Sequence, residues 1–425
     1  MLSDWTQHVR LPFDGLRVIG GKWSPQSYGV KEFLSRNHVP YQWIDIDQDA
    51  PMRELVSSLS GSVTRLPVVL FPDGSHLVAP TNLALADKVG LRTRADQPFY
   101  DLVIVGGGPA GLANAVYGAS EGLRTLLIEH NAPGGQAGTS SRIENYLGFP
   151  AGISGADLAQ RATAQARRFG VEMLTAQEVV GLRRDDPFRI VRLANGAEIS
   201  CYAILVAAGM AVRMLGVAGV APLIGAGIYY GAATTEAAIY RGRDVCVVGG
   251  ANSAGQGALF FTRYARRVIM LVRDKSLASS MSQYLVNRIA AASNIEVLTR
   301  IEVTEACGNG HLEQVVLRDL DTSEPRRIDV AAMFIFIGAA PRSEMVSGVV
   351  ECDEKGFILT GPDLFQSGRK PRGWTLDRDP FLFETSTPGV FAAGDVRAGS
   401  NRRVASAVGE GSAAIYTIHR YLETV

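Results

Sequence analysis

Tyr100-Asp101-Leu102-Val103-Ile104-Val105-Gly106-Gly107-Gly108-Pro109-Ala110-Gly111 is the stretch on which the reading of this chain turns. Leu102 to Val105 is a continuous apolar run, the pattern of a strand buried on both faces of a parallel sheet. Glycines 106, 108 and 111 follow with Gly-x-Gly-x-x-Gly spacing, and Pro109 suits the first position of a helix. Each glycine has its own physical reason. Gly106 allows the tight turn, Gly108 lets the main chain approach a pyrophosphate, and Gly111 lets the helix pack close to the strand, with Ala110 small beside it. Thr125–Ile128 reads as the next strand. Glu129 at its end stands about 20 residues on, where an acid accepts hydrogen bonds from a ribose. The pyrophosphate is then expected at the helix N-terminus, whose N–H groups favour an anion. Glycines alone would be a weak signal; strand, helix and acid together indicate dinucleotide binding.

A second unit lies downstream. Asp244–Val248 reads as a strand, followed by Gly249-Gly250-Ala251-Asn252-Ser253-Ala254, and Val268–Val272 as its partner. Alanine replaces the middle and last glycines, and the methyl of Ala251 requires the pyrophosphate to sit slightly further out. This second strand ends on Arg273 instead of an acid, which suits a 2′-phosphate and hence NADPH over NADH. Asp274 opposes that reading and Lys275 supports it. A plainer alternative makes Arg273 a solvated strand end.

The first 92 residues have a different rhythm. Leu16–Ile19 reads as a strand. Ser24 is a candidate N-cap with Pro25 at the first helical position, opening a helix that runs through Tyr28–Asn37. Tyr41–Ile46 alternates like a strand, Pro51–Leu59 reads as a helix, and Val68–Phe71 as a strand before a hairpin at Asp73-Gly74. This order resembles a thioredoxin or glutaredoxin domain. The resemblance would place a redox cysteine pair at Ser24 and Ser27, facing a cis-proline at Pro67. A hydroxyl forms no disulfide, so the module is expected to serve structure or docking.

Composition bounds the remaining classes. The 425 residues suggest two to four domains. With 42 Lys+Arg against 42 Asp+Glu, nothing draws the chain to nucleic acid or anionic lipid. The four cysteines, Cys201, Cys246, Cys307 and Cys352, are widely scattered, with no Cys-x-x-Cys, which fits a reducing cytoplasm. Met1–Phe13 lacks the apolar core of a signal peptide. Met214–Thr235 is uncharged and long enough to span a bilayer, but its glycines and Pro222 favour a buried connection. No His, Cys or acid spacing suggests a metal site.

Further segments sharpen the class: Gly134-Gly135-Gln136, Glu144-Asn145-Tyr146, Gly209 after a strand, Gly389 to Val396, and Arg402-Arg403-Val404 opening a C-terminal helix. With the two glycine motifs, these resemble the low-molecular-weight thioredoxin reductases over roughly residues 100–425. The implied fold is α/β, with a thioredoxin-like domain (1–92) and a linker (93–100) ahead of two Rossmann-type domains. The FAD domain is discontinuous (100–216 and 336–425), and an NADPH domain (217–335) is inserted in it. By the resemblance, Gln136, Asn145 and Asp395 contact FAD, with Arg402 and Arg403 at the family's Arg-Gln pair. The helix from Val404 would point its positive end at the flavin. The family implies a homodimer.

One departure stands out. Where these reductases carry Cys-x-x-Cys-Asp, this chain has Gly231-Ala232-Ala233-Thr234-Thr235. Machinery for hydride transfer from NADPH to FAD is kept, while the thiol relay is missing. The acceptor is then external: oxygen, a quinone, a small substrate or a redox protein. Two further readings stay open, a cysteine-free ferredoxin- or flavodoxin–NADP reductase-like enzyme and a nucleotide-bound sensor or scaffold; a flavin monooxygenase shares the two motifs. Glu236 is expected either as a replacement acid near the flavin or as a helix N-terminal Glu, and His130 near the adenosine end of FAD. Cys201 and Cys246 are expected as inert core thiols. Cys307 and Cys352 stand near acids that disfavour a thiolate. Pro362–Phe383 reads as a basic insertion with Arg369, Lys370, Arg372, Trp374 and Arg378.

Overall fold

A computed structural model describes residues 15–60, 65–231, 236–365, 370–371, 374 and 376–425. The N-terminal leader reading, residues 232–235 and part of the 362–383 insertion, including Arg369 and Arg372, fall outside the described residues. The chain divides into two compact units, Met1–Asn82 with Met214–Gly338, and Leu83–Arg213 with Ala339–Val425.

The N-terminal module is a four-stranded sheet ordered β2-β1-β3-β4, from β1 (Leu16–Gly20), β2 (Tyr41–Asp45), β3 (Val68–Leu70) and β4 (His76–Val78). Helices α1 (Pro25–Arg36) and α2 (Ala50–Ser60) complete it. The Ser24 hydroxyl caps α1 by accepting from the Ser27 N–H at 3.2 Å, with proline opening the helix as expected. Leu66–Pro67 is cis, and Gly74, at φ +80°, turns the β3–β4 hairpin. A short helix α3 (Asn82–Lys88) follows.

The second unit is built on a seven-stranded sheet. Its first portion contains β5 (Phe99–Val105), α4 (Pro109–Ser120), β6 (Thr125–Glu129), α5 (Gly155–Arg168), β7 (Glu172–Thr175), β8 (Val179–Asp185), β9 (Phe188–Leu193), β10 (Glu198–Val206) and the short β11 (Met210–Val212). Strands β7-β6-β5-β10 run parallel, and β9 and β8 continue the sheet antiparallel.

The inserted segment contributes β12 (Ile228–Tyr230), β13 (Asp244–Val248), α6 (Asn252–Phe261), β14 (Arg267–Val272), α7 (Gln283–Ala290), β15 (Ile295–Thr299), β16 (Ile301–Cys307), β17 (Gln314–Asp319), β18 (Pro325–Asp329) and β19 (Ala332–Ile335). Its main sheet is five-stranded and parallel, β12-β19-β13-β14-β15, beside the antiparallel β16-β17-β18. Met214–Gly231 is a 3-10 turn plus β12, with Tyr229 fully buried. Among the described residues no helix is long and apolar enough to cross a membrane.

The chain then returns to the second unit. There β20 (Ala339–Pro341) pairs β11, β21 (Val390–Ala392) pairs the end of β10, and α8 (Val404–Leu422) packs on α4. Apolar clusters cover both faces of each parallel sheet. That double burial is why β5 and β13 are near-continuous apolar runs and do not alternate.

Candidate functional site

The glycine loop after β5 has the geometry its sequence requires. Gly106 turns with φ +106°, and a Cβ there would lie 2.4 Å from the Ala207 carbonyl oxygen. At Gly111 a Cβ would stand 1.9 Å from the Gly106 oxygen, so close helix–strand packing forces that glycine. Gly108 is different. It is the N-cap of α4 with extended backbone (φ −72°, ψ −176°), and a Cβ would meet nothing within 4 Å. No contact among the described residues demands glycine at 108; an open approach to the helix N-terminus is what a pyrophosphate needs.

Glu129 closes β6 in full burial. Its Oε2 accepts from the Gly107 N–H at 2.7 Å and its Oε1 from the Asn131 N–H at 2.9 Å, with the His130 Nδ1 also 2.9 Å from Oε1. Burial pushes this carboxyl up, but His130 and the two amides outweigh it and hold it below the usual range. The carboxylate therefore stays ionised, shapes the glycine loop and has acceptor capacity beyond these contacts. His130 in turn meets the Arg342 guanidinium, Nε2 to Nη1 at 2.6 Å, and the Arg342 N–H donates to the Gly209 carbonyl at 3.0 Å. Gly209, at φ +64°, is thus joined to Glu129 through Arg342 and His130. Nothing in the sequence pointed to Arg342.

Three more segments reach the same loop. The Gly134 N–H donates to the Gly107 carbonyl at 2.7 Å, and a Cβ on Gly135 would sit 3.1 Å from the Gly108 Cα. Gly394, at φ +77°, donates its N–H to Glu410 Oε2 at 2.7 Å, and a Cβ there would lie 2.9 Å from that of Ala110. Gly411 in α8 comes so close to α4 that a Cβ would be 2.1 Å from the Ala110 oxygen, and Asn114 Nδ2 donates to the Gly411 carbonyl at 2.8 Å. Asp395, half-buried, has its carboxyl raised by burial, with Arg402 opposing and Glu410 adding to the rise. Arg403 is the extended N-cap of α8, with no side-chain cap on the N–H groups from Val404 onward. Arg402 lies over the Phe357 ring at 5.2 Å. Gln136 and Asn145 are exposed, and no protein hydrogen bond fixes either side chain among the described residues.

The second loop repeats the first in backbone. Gly249 has φ +137°, and a Cβ there would lie 2.4 Å from the Phe336 oxygen. Ala251 is the N-cap of α6 with φ −94° and ψ −179°, the conformation of Gly108, so alanine fits without strain. Ala254 is buried where Gly111 stands in the first loop. Asn252 Oδ1 accepts from the Ser282 N–H at 2.7 Å, and the Ser280 hydroxyl donates to the Gly250 carbonyl at 3.2 Å, pinning residues 280–282 to the loop. That leaves the Asn252 oxygen occupied by protein, while Ser253 is exposed. The Arg273 side chain is 78% exposed with its Nε 4.0 Å from Glu302, an acid already paired with Arg318. Among the described residues it is a cation at the strand end without a firm partner, as a 2′-phosphate site needs.

A cleft lined by Asp244, Arg266, Arg267 and Arg327 lies at the opposite, N-terminal end of the same strands. Open α/β sheets take ligands at the C-terminal ends, and Asp244 already pairs both Arg266 and Arg267.

Residues 100–411 match the family model of the pyridine nucleotide-disulphide oxidoreductases, and residues 22–77 that of glutaredoxin. The chain belongs to the pyridine nucleotide-disulphide oxidoreductase family. A thioredoxin reductase of Mycolicibacterium smegmatis is 35% identical over 326 residues, 77% of this chain and 97% of that protein. One from Bacillus subtilis is 33% identical over 77% of this chain and 96% of that one. The crystal structure of Lactococcus lactis thioredoxin reductase covers 77% of this chain and 100% of its own, with a TM-score of 0.68 and 28% identity. Thioredoxin reductases of this family use FAD and NADPH, and the two loops fit those groups. This family member is an FAD-dependent NADPH oxidoreductase resembling thioredoxin reductase.

Its thiols do not form a relay. Cys201 and Cys246 are fully buried, and burial pushes both well above the ordinary thiol range. Cys307 and Cys352 are unpaired, and burial together with Asp353 raises Cys352. Glu236 stands at the N-cap of the short 3-10 helix Ala237–Tyr240, as one sequence reading expects, but its side chain is turned to a partner that neither reading named. It is 1% exposed, gives no side-chain cap to the turn after it, and its Oε1 lies 2.8 Å from Lys31 Nζ. The readable sign was on the lysine: Lys31 lies on the buried face of α1 with Ser27 and Leu34.

Proposed function

We propose that this chain moves electrons from NADPH through FAD directly to an external acceptor, with no dithiol between. The reading rests on one observation: both nucleotide loops are intact while Gly231–Thr235 stands in place of the cysteine motif. Gly106, Gly108, Pro109, Ala110, Gly111, Glu129, Gly135 and Gly394 would cradle FAD, with Gln136, Asn145, Gly209, Asp395 and the α8 start at Arg402, Arg403 and Val404 around it. Gly249, Ala251, Asn252, Ser253, Ala254 and Arg273 would hold NADPH. Bound there, FAD supplies hydride acceptance from the nicotinamide and onward delivery. The chain's own residues bind, orient and charge-balance: Glu129 fixes a ribose, the two helix N-termini face the pyrophosphates, and Arg273 selects the 2′-phosphate.

A redox protein is the acceptor class that kinship with thioredoxin reductases supports; oxygen, quinone and small substrates are the other arms of the test. Unpaired, scattered cysteines support a cytoplasmic setting. Exposed Tyr117 and Tyr416 on the mutually packed α4 and α8 support a second copy as neighbour. The domain division 1–92, 100–216 with 336–425, and 217–335 is part of the same proposal.

The test is an anaerobic NADPH titration of the purified protein, watching the oxidised-flavin absorbance band. Bleaching is expected, and reoxidation by oxygen, quinone or a reduced-potential-matched redox protein then ranks the acceptors. NADPH binding without bleaching would remove the enzyme reading in favour of a sensor.

A further inference from the structure

Two aromatic residues of the N-terminal module belong to a core that is not its own. Ile19, Ile44, Val56 and Val68 form the module's core. Trp23 and Tyr28 lie outside it and pack against the cluster of the inserted domain that contains Tyr229 and Tyr240. The Tyr28 ring meets Tyr229 edge-on at 5.2 Å, and Trp23 stacks on His311 at 5.0 Å with an 18° interplanar angle. Beside them Lys31 Nζ lies 2.8 Å from Glu236, their side chains 6% and 1% exposed, and the ammonium also stands 4.3 Å over the Trp43 ring. Gly225, at φ +81°, lets the main chain come so near that a Cβ would be 2.8 Å from the Pro25 Cα.

These contacts are not scattered over the module. They fall on Trp23-Ser24-Pro25-Gln26-Ser27 and the next turn of α1, the helix end where the glutaredoxin resemblance would put the cysteine pair. On the other side they fall on Gly225, Tyr229, Glu236 and Tyr240, with His311 beside them.

We propose that the glutaredoxin-like module is an intramolecular docking domain whose ligand is the inserted domain's own surface around Gly225, Tyr229, Glu236 and Tyr240, seated on the first turns of α1. The aromatic contacts supply buried area. The Lys31–Glu236 pair supplies specificity, because a buried charge tolerates only a partner in the right place. The module thus holds this part of the nucleotide domain and offers this face to no external protein while docked.

Hydrogen exchange on the full-length, FAD-loaded protein tests this from both sides. Glu236→Gln, made in the inserted domain, is expected to speed amide exchange in α1 by at least ~10-fold, since it leaves the Lys31 charge buried and unpaired. The β1 and β3 amides should keep their protection. Lys31→Met should speed exchange in Ile228–Tyr230 and Ala237–Tyr240, and the Lys31→Met/Glu236→Leu double variant should recover most of the loss. Unchanged α1 exchange in Glu236→Gln, or effects confined to the element that carries each substitution, would overturn the proposal. Should Lys31→Met fail to fold, the Glu236→Gln arm still decides it.

Discussion

At the scale of single residues, the two glycine loops show which substitutions the fold forbids and which it only disfavours. Gly111→Ala would put a methyl 1.9 Å from the Gly106 oxygen. Overpacking of this kind costs roughly 1–3 kcal/mol, and the purified variant is expected to lose FAD, read as a fallen ratio of flavin to protein absorbance. Gly108→Ala meets no atom of the described residues, so it should keep its melting temperature in the apo state and weaken only FAD binding. Arg273→Ala should raise KM for NADPH by ~10-fold, worth about 1.4 kcal/mol, and leave NADH unchanged; equal effects on both would return Arg273 to a solvated strand end.

Asp244 carries a pH prediction. Its carboxyl is held below the ordinary range by the Arg266 hydrogen bond, against burial and with help from Arg267. A carboxyl depressed in the folded state stabilises above its unfolded pKa, about 3.9, and that contribution is lost as pH falls through the lower folded value. Asp244→Asn should therefore lower the melting temperature at neutral pH, with the gap to wild type closing below about pH 4.

Elements carry a different kind of constraint. Helices α4 and α8 touch through backbone at Gly411 and Ala110, so Gly411→Leu should separate them, lower the melting temperature and release flavin on mild heating. Most elements around the two sites were legible in sequence. Strands β5 and β13 are apolar runs stopped by glycines, and Ser24-Pro25 announces α1, because burial on both faces and capping leave local marks. What escaped were partnerships between distant segments. Neither Arg342 bridging His130 to Gly209 nor Asn252 holding the Ser282 N–H has a local pattern. Lys31 did leave a mark, a cation on the buried stripe of α1, but its partner Glu236 stands some two hundred residues away in sequence and no periodicity joins them.

On the scale of the whole molecule, a reductase framework has kept its nucleotide sites and lost both places for a dithiol. Replacing Cys307 and Cys352 by serine should leave the NADPH oxidation rate unchanged, measured with whichever acceptor reoxidises the flavin; a large loss would mean that a thiol does take part.

The split sheet also bears on how the protein is made. Strand β10 pairs β9 through its first half, and Ile204–Val206 at its other end pairs β21. Synthesis delivers Leu83–Arg213 after the N-terminal module, then all of Met214–Gly338, and only afterwards Val390–Ala392 and α8. Throughout that interval the nascent chain presents an apolar strand end with an open edge, the kind of surface that templates aggregation and recruits chaperones. The inserted segment has the time to fold while the unit that encloses it waits for its last strand.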